Sequence, residues 1–231
     1  MRRVASTTVV ACIAIGAGCF FKPAPPPGAI GDDGSTRDGA IPEDAKVADG
    51  DNALDCEAPV TIDPFLGGMC GVGTFGGAGY ANASNGTLSV QSAGGKAWCF
   101  WSHALGGGVE VVVTPMDIFG FSGLEIETAN HTVAVLSAGS GTQVYFQPTL
   151  DGHAVGVTTP FFELGLKVWL HFGVDGTKLK VGYNTDGSTS WNPLAAADVG
   201  GDDLAGAVEL HLRADQSTAR SQFNQFQACV P

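Results

Sequence analysis

From Gly86 to Cys229 apolar and polar residues alternate with a period of two, the signature of strands with one buried face. In "TLSV" Leu88 and Val90 share a face, and in "AWCFWS" Trp98 and Phe100 oppose Cys99 and Trp101. "VEVVV" (109–113), "GLEIET" (123–128), "TVAVLSA" (132–138) and "TQVYFQP" (142–148) repeat the pattern. The longest block is "VWLHFGVDGTKLKVGYNTDGSTSW". There Val168, Leu170, Phe172 and Val174 face one way, against Trp169 and His171. Asp175-Gly176 reads as a two-residue hairpin turn, Leu179, Val181 and Tyr183 as the returning strand, and Asp186-Gly187 as a further turn. "AVELHLRAD" (207–215) and "SQFNQFQAC" (221–229) add two late strands. No stretch carries a helical apolar face of useful length. Many short strands separated by glycine and proline turns predict an all-β, two-sheet antiparallel sandwich.

The first 55 residues follow other rules. Arg2 and Arg3 precede an uncharged run, Val4–Ala17. About fourteen residues fall short of the ~20 that span a bilayer and match the apolar core of a secretory signal. Gly16-Ala17-Gly18 lead into Cys19, a sequence that resembles the lipobox of bacterial lipoproteins. The resemblance implies acylation of Cys19 and a mature chain beginning there. Residues 23–55 are rich in Pro, Gly, Ala and Asp and lack aromatics, so they bury too little surface to offset their chain entropy. The expected organisation is a signal peptide (1–18), a lipidated Cys19 with a disordered linker (19–55), and a β-sandwich domain (56–231). The expected location is the bacterial cell envelope, at the outer membrane or cell surface, with membrane contact through the lipid alone.

Charge narrows the partners. Asp and Glu number 23 against 11 Lys and Arg, a net −12. Nucleic acid is excluded as a partner, because phosphate binding needs clustered cations. Cys12 leaves with the signal and Cys19 takes lipid, so Cys56, Cys70, Cys99 and Cys229 remain for disulfides, with three possible connectivities. Cys56 and Cys229 bracket the domain, whose ends are expected to lie close. Pairing them leaves Cys70 with Cys99.

"NGTLSV", "SGLEIETANHTVAVL", "VWLHFGVDGTKLKVGYNTDGSTSW" and "AVELHLRADQSTARSQFNQF", in that order, resemble the concanavalin A-like jelly roll, in particular its laminin-G-like and glucanase-like modules. The resemblance implies a jelly-roll sandwich and a site for carbohydrate. It also offers a catalytic comparison. Glucanases of this fold carry E-x-D-x-x-E on one strand, with the first Glu as nucleophile and the last as acid/base. "EIETAN" supplies Glu125 and Glu127 but places Asn130 at the position of the acid. Both glutamates are expected to point outward from a strand.

Other motifs add little. "GVGTFG" (71–76) matches G-x-G-x-x-G, but no helix follows to hold a pyrophosphate, so a glycine-rich loop is expected. The five histidines read as scattered surface residues, with His171 and His211 as possible neighbours on outward strand positions. Asp151, Asp175, Asp186, Asp202 and Asp203 stand in turns, where they serve turn geometry or, as the alternative, calcium. No other metal or cofactor is expected. Trp169 and Trp191 coincide with structural tryptophans of the resembled modules. Trp101, Tyr145 and Tyr183 remain as candidate sugar-stacking residues. The chain therefore reads as a monomeric, non-catalytic surface lipoprotein whose domain binds polysaccharide or another glycan. The alternatives are a structural or protein–protein module of the envelope and a degenerate glycoside hydrolase.

Overall fold

The alternating segments become strands in a computed structural model that describes residues 59–216 and 219–229. The expected signal peptide (1–18), the expected lipidation site Cys19, the expected linker (19–55) and Cys56 lie outside the described residues. The strands are β1 (Pro59–Asp63), β2 (Thr74–Ser84), β3 (Thr87–Ala104), β4 (Gly108–Pro115), β5 (Phe121–Glu127), β6 (Thr132–Ser140) and β7 (Gln143–Leu150). They continue as β8 (His153–Ala154), β9 (Phe162–Glu163), β10 (Val168–Asp175), β11 (Lys178–Asn184), β12 (Asn192–Asp198), β13 (Ala207–Asp215) and β14 (Arg220–Cys229). Among the described residues one short helix, α1 (Gly201–Leu204), is the exception.

The strands pair antiparallel in the order β12-β11-β10-β4-β14-β3-β13-β5-β6-β7-β8. The turning point is β3. Its first half, Leu88–Gln91, pairs with β14, and its second half, Ala97–Ala104, pairs with β13. "TLSV" and "AWCFWS" are thus one bent strand that passes from one layer to the other, the usual way a sandwich makes a corner. The register against β2 jumps there, between Gly77 opposite Ala97 and Gly79 opposite Ser92. Gly77 sits at φ +85° with its α-carbon against the Lys96 carbonyl, a place with no room for a Cβ. The two ends of the ladder then meet. Val157 N donates to Leu194 O at 2.8 Å, and the Phe162 and Tyr183 rings lie edge to face at 5.9 Å. The result is a two-layer antiparallel jelly roll.

Between the layers lies one core. Val168, Leu170 and Phe172 of β10 and Val109, Val111 and Val113 of β4 belong to the same buried cluster as Leu124 and Ile126 of β5 and Leu210 and Leu212 of β13. Period-two alternation puts these side chains inward and aims their neighbours to the outer faces. Fully burying each such aliphatic side chain contributes about 1.5–3 kcal/mol.

The loop between β1 and β2 is built on a buried carboxylate. Asp63 accepts from Phe65 N (2.8 Å), Val72 N (2.7 Å) and Trp101 Nε1 (2.9 Å). A buried charge is tolerated when its oxygens are filled in this way. The Cys70–Cys99 disulfide pins the same loop to β3. Cys229 is also disulfide-bonded, and its expected partner Cys56 lies outside the described residues.

Some local expectations shift. The first hairpin turn is Gly176-Thr177, because Asp175 already pairs with Lys178. The glycine-rich stretch after "GVGTFG" is strand β2, which suits the rejection of a phosphate-binding helix. Strands β1, β2, β8, β9 and β12 escaped the sequence reading: "PVTID" alternates Val60 with Ile62 but is short, β2 is rich in glycine, β8 and β9 are two residues each, and "NPLAAAD" lacks clear alternation.

Candidate functional site

Two polar constellations occupy the outer faces, one on each layer. The first is built on β10, β4 and β14. The registers His171↔Glu110 and Gln227↔Glu110 set these three side chains side by side. His171 Nδ1 donates to Glu110 Oε1 at 2.9 Å, and Gln227 Nε2 donates to Glu110 Oε2 at 2.8 Å. Burial raises the Glu110 pKa, but the His171 and Gln227 hydrogen bonds and the His171 charge outweigh it, so the carboxyl stays below its ordinary value. Trp191 lies over the His171 ring at 4.8 Å between centroids.

Next to this group the β14 ladder is broken. Asn224 pairs with Val112 and Gln227 with Glu110, so Gln225 and Phe226 together oppose Val111 in a β-bulge. Phe226 turns into the core, fully buried. Gln225 is forced to φ +48° and turns outward, where its Oε1 accepts from Trp169 Nε1 at 3.2 Å. Left-handed backbone at a non-glycine residue costs free energy and is concentrated at functional sites. The outward turn completes a cleft of about 220 Å³ lined by Trp169, Trp191, Glu110, Gln225, Gln227 and the Gly187–Thr189 loop, with Pro59 at its edge. Its chemistry is two indoles, one carboxylate and two amides, a set suited to a polyhydroxylated ring: apolar faces for C–H groups, donors and acceptors for hydroxyls. A volume below the ~300 Å³ of ordinary small-molecule pockets suits a short stretch of a larger polymer.

The second constellation lies on β5, β13 and β3. Glu125 is opposite His211, and Glu127 is opposite Glu209. Glu125 does not project into solvent as expected: it is 3% exposed, beneath cationic side chains. Its oxygens take Lys96 Nζ at 2.5 Å, His211 Nδ1 at 3.1 Å and a close Arg213 guanidinium. Burial raises its pKa, yet His211, Arg213 and Lys96 together lower it to about 2. Glu127 is half exposed on the same face. Asn130 does not join this group. Its Nδ2 donates to Asp203 Oδ1 at 2.6 Å, and Thr128 Oγ1 donates to Asp203 Oδ2 at 2.8 Å.

The sequence-predicted residues are distributed as follows. Trp101 is buried against Phe226 and Asp63, with no face for a ligand, so it leaves the set of sugar-stacking candidates. Tyr145 is half-buried, edge-on to Phe161 at 5.3 Å, and Tyr183 packs on Phe162; neither borders the cleft. His171 and His211 are buried, not surface residues, and are not neighbours, because β4, β14 and β3 separate β10 from β13. The turn aspartates engage locally and apart: Asp151 with His131, Asp175 with Lys180, Asp186 with Ser188. Cys229 also stands near Glu110 and His171, but its sulfur is committed to a disulfide and offers no thiolate to a metal. Sequence reasoning missed Glu110, Gln225 and Gln227 and read Trp169 and Trp191, which line the cleft, as structural; for Gln225 a signal was present. The "FNQF" spacing, with Phe223 and Phe226 three apart where alternation requires an even step, was the available signal.

No protein-family model matches the chain, and no curated protein matches it. Solved structures do match. A functionally unknown protein from Saccharomyces cerevisiae superposes with a TM-score of 0.57 at 12% identity, over 69% of this chain and 96% of that one. A non-specific endo-β-1,3(4)-glucanase from family GH16 gives a TM-score of 0.46 at 9% identity, over 64% and 72% of the two chains. A laminarinase from Flavobacterium sp. gives 0.45 at 7%, over 64% and 80%. The likeness to the Saccharomyces cerevisiae protein is one of fold, a two-layer β jelly roll. The expectation that the protein is not an enzyme is corrected here, because the architecture is one in which endo-glucanases are found. At these identities the likeness is of fold, and no catalytic role passes to a residue of this chain.

Proposed function

We propose that the domain binds carbohydrate in the Trp169–Trp191 cleft. The observation that carries the reading is the bulge at Gln225, which turns an amide outward at a backbone cost and sets it beside Trp169, Glu110 and Gln227. A packing surface needs no such device, and two indoles flanking a carboxylate and amides suit a glycan. Supported by the sequence alone, the domain is held at the cell envelope by an acylated Cys19 and the linker behind it.

The test is a glycan array followed by calorimetry on the best ligand, starting with laminarin and lichenan. Trp169→Ala is expected to weaken binding at least tenfold, about 1.4 kcal/mol, while thermal unfolding shows the domain intact. Trp191→Phe, which keeps His171 covered, is expected to weaken it less. The same mixtures are assayed for new reducing ends, whose release assigns turnover as well as binding. Absence of binding to every glycan, or binding indifferent to Trp169→Ala, overturns the reading.

A further inference from the structure

The cleft on β10, β4 and β14 is uneven in what it offers a ligand. Among the described residues that line it, Glu110 is the one charged group, and none is Lys, Arg or His. A carboxylate accepts hydrogen bonds and donates none. Each Glu110 oxygen takes one bond from the protein, Oε1 from His171 and Oε2 from Gln227, which leaves each a further acceptor site. The donors that remain are neutral. Trp169 Nε1 bonds Gln225 Oε1, so the Gln225 amide keeps its NH₂ for a ligand, and the exposed Thr189 adds a hydroxyl. His171 is fully buried under Trp191 and does not line the cleft, so it gives a ligand no donor in either protonation state. Lys167, two residues before Trp169, also stands outside the lining. Asp186, in the turn that leads into Gly187–Thr189, adds a second anion beside the lining; its Oδ1 accepts from Ser188 N at 3.0 Å.

We propose, on the reading that this cleft binds carbohydrate, that it takes a neutral glycan and that Glu110 excludes acidic ones. A neutral pyranose brings hydroxyls, which donate to the open acceptor sites of Glu110 and accept from Gln225 and Thr189. A uronate or a sulfated sugar brings an anion that only accepts. Against Glu110 it sets acceptor to acceptor, and it meets no guanidinium or ammonium to replace its lost hydration. That mismatch holds whatever charge His171 carries. Burial opposes the Glu110 charge, and the His171 and Gln227 hydrogen bonds outweigh it, so the carboxyl is ionised at neutral pH. The net charge of −12 acts in the same direction at longer range. An anion held without a donor in such a place costs at least about tenfold in affinity.

The experiment titrates the full chain by calorimetry with laminarin, lichenan and each polysaccharide that the glycan array selects. Every neutral polymer is paired with its own C6-oxidised uronate form. The parent is expected to bind the neutral form at least about tenfold more tightly. Glu110→Gln keeps the shape of the side chain, removes its charge and supplies a donor, and is expected to close most of that gap. Thr189→Lys changes only an exposed lining residue. It is expected to strengthen uronate binding by roughly threefold or more, with its unfolding temperature unchanged. Array ligands that are acidic, or a uronate form bound as tightly as the neutral one, overturn the proposal. The glycan cleft itself then stands if Trp169→Ala abolishes that binding. A preference that survives unchanged in both Glu110→Gln and Thr189→Lys also overturns it. No binding of any neutral or acidic form by the parent overturns the carbohydrate reading of the cleft, and this proposal with it.

Discussion

Replacing Glu125 with Gln keeps the volume of the side chain and removes its charge. In the folded protein the carboxyl titrates at about 2 instead of 4.5, because His211, Arg213 and Lys96 together outweigh the burial that opposes its charge. A depression of that size corresponds to about 3 kcal/mol of stabilisation. The sign follows from the direction: the contribution is complete above pH ~4.5 and is lost as pH falls toward ~2. Lys96, about one-third exposed, can turn to water in the variant, and Arg213 keeps Asp215 at 2.6 Å. The cost should therefore lie at the lower edge of the ~3–5 kcal/mol for breaking a buried pair. Thermal and urea unfolding, followed by circular dichroism, measure it. At pH 7 the variant should lose about 3 kcal/mol, roughly 6–12 °C in Tm for a domain of this size. The difference should shrink toward zero as pH falls to about 2, where roughly half of the parent carboxyl is protonated as well. A loss below about 1 kcal/mol at pH 7, or one that persists unchanged at pH 2, refutes the ion-pair account.

Two further outcomes follow from the cysteines. Cys70→Ala/Cys99→Ala removes a bridge across 29 residues, and chain entropy sets the loss at about 3.5 kcal/mol; urea denaturation of the double variant measures it, and an unchanged midpoint contradicts it. Metabolic labelling with a fatty-acid analogue should mark the parent protein and not Cys19→Ala, whereas equal labelling of both removes the lipid anchor from the reading.

Strand content was legible locally. The alternation of Val168, Leu170 and Phe172 against Trp169 and His171, or of Leu124 and Ile126 against Glu125 and Glu127, needs only the two-residue period of an extended backbone, so the sequence determined which residues share a face. It also gave Cys70–Cys99 as one of few possible pairings. Pairing across the sheet is a different kind of information. That β13 lies between β3 and β5, and so sets His211 against Glu125, follows from contacts more than eighty residues apart in the chain. No local pattern encodes them. For the same reason an outward glutamate became a buried one: the face was right, and the cations that cover it came from β3 and β13. The sequence offered Trp101 as a sugar-stacking residue; its place in the core is decided by Phe226 and by Asp63, which accepts from the Trp101 N–H. Gln225 joined Trp169 only because the bulge rotates one residue out of alternation, and bulge position is settled where two strands of unequal curvature must stay in register. Local periodicity determines the faces of strands; only tertiary pairing decides which faces meet, and the candidate sites form where they do.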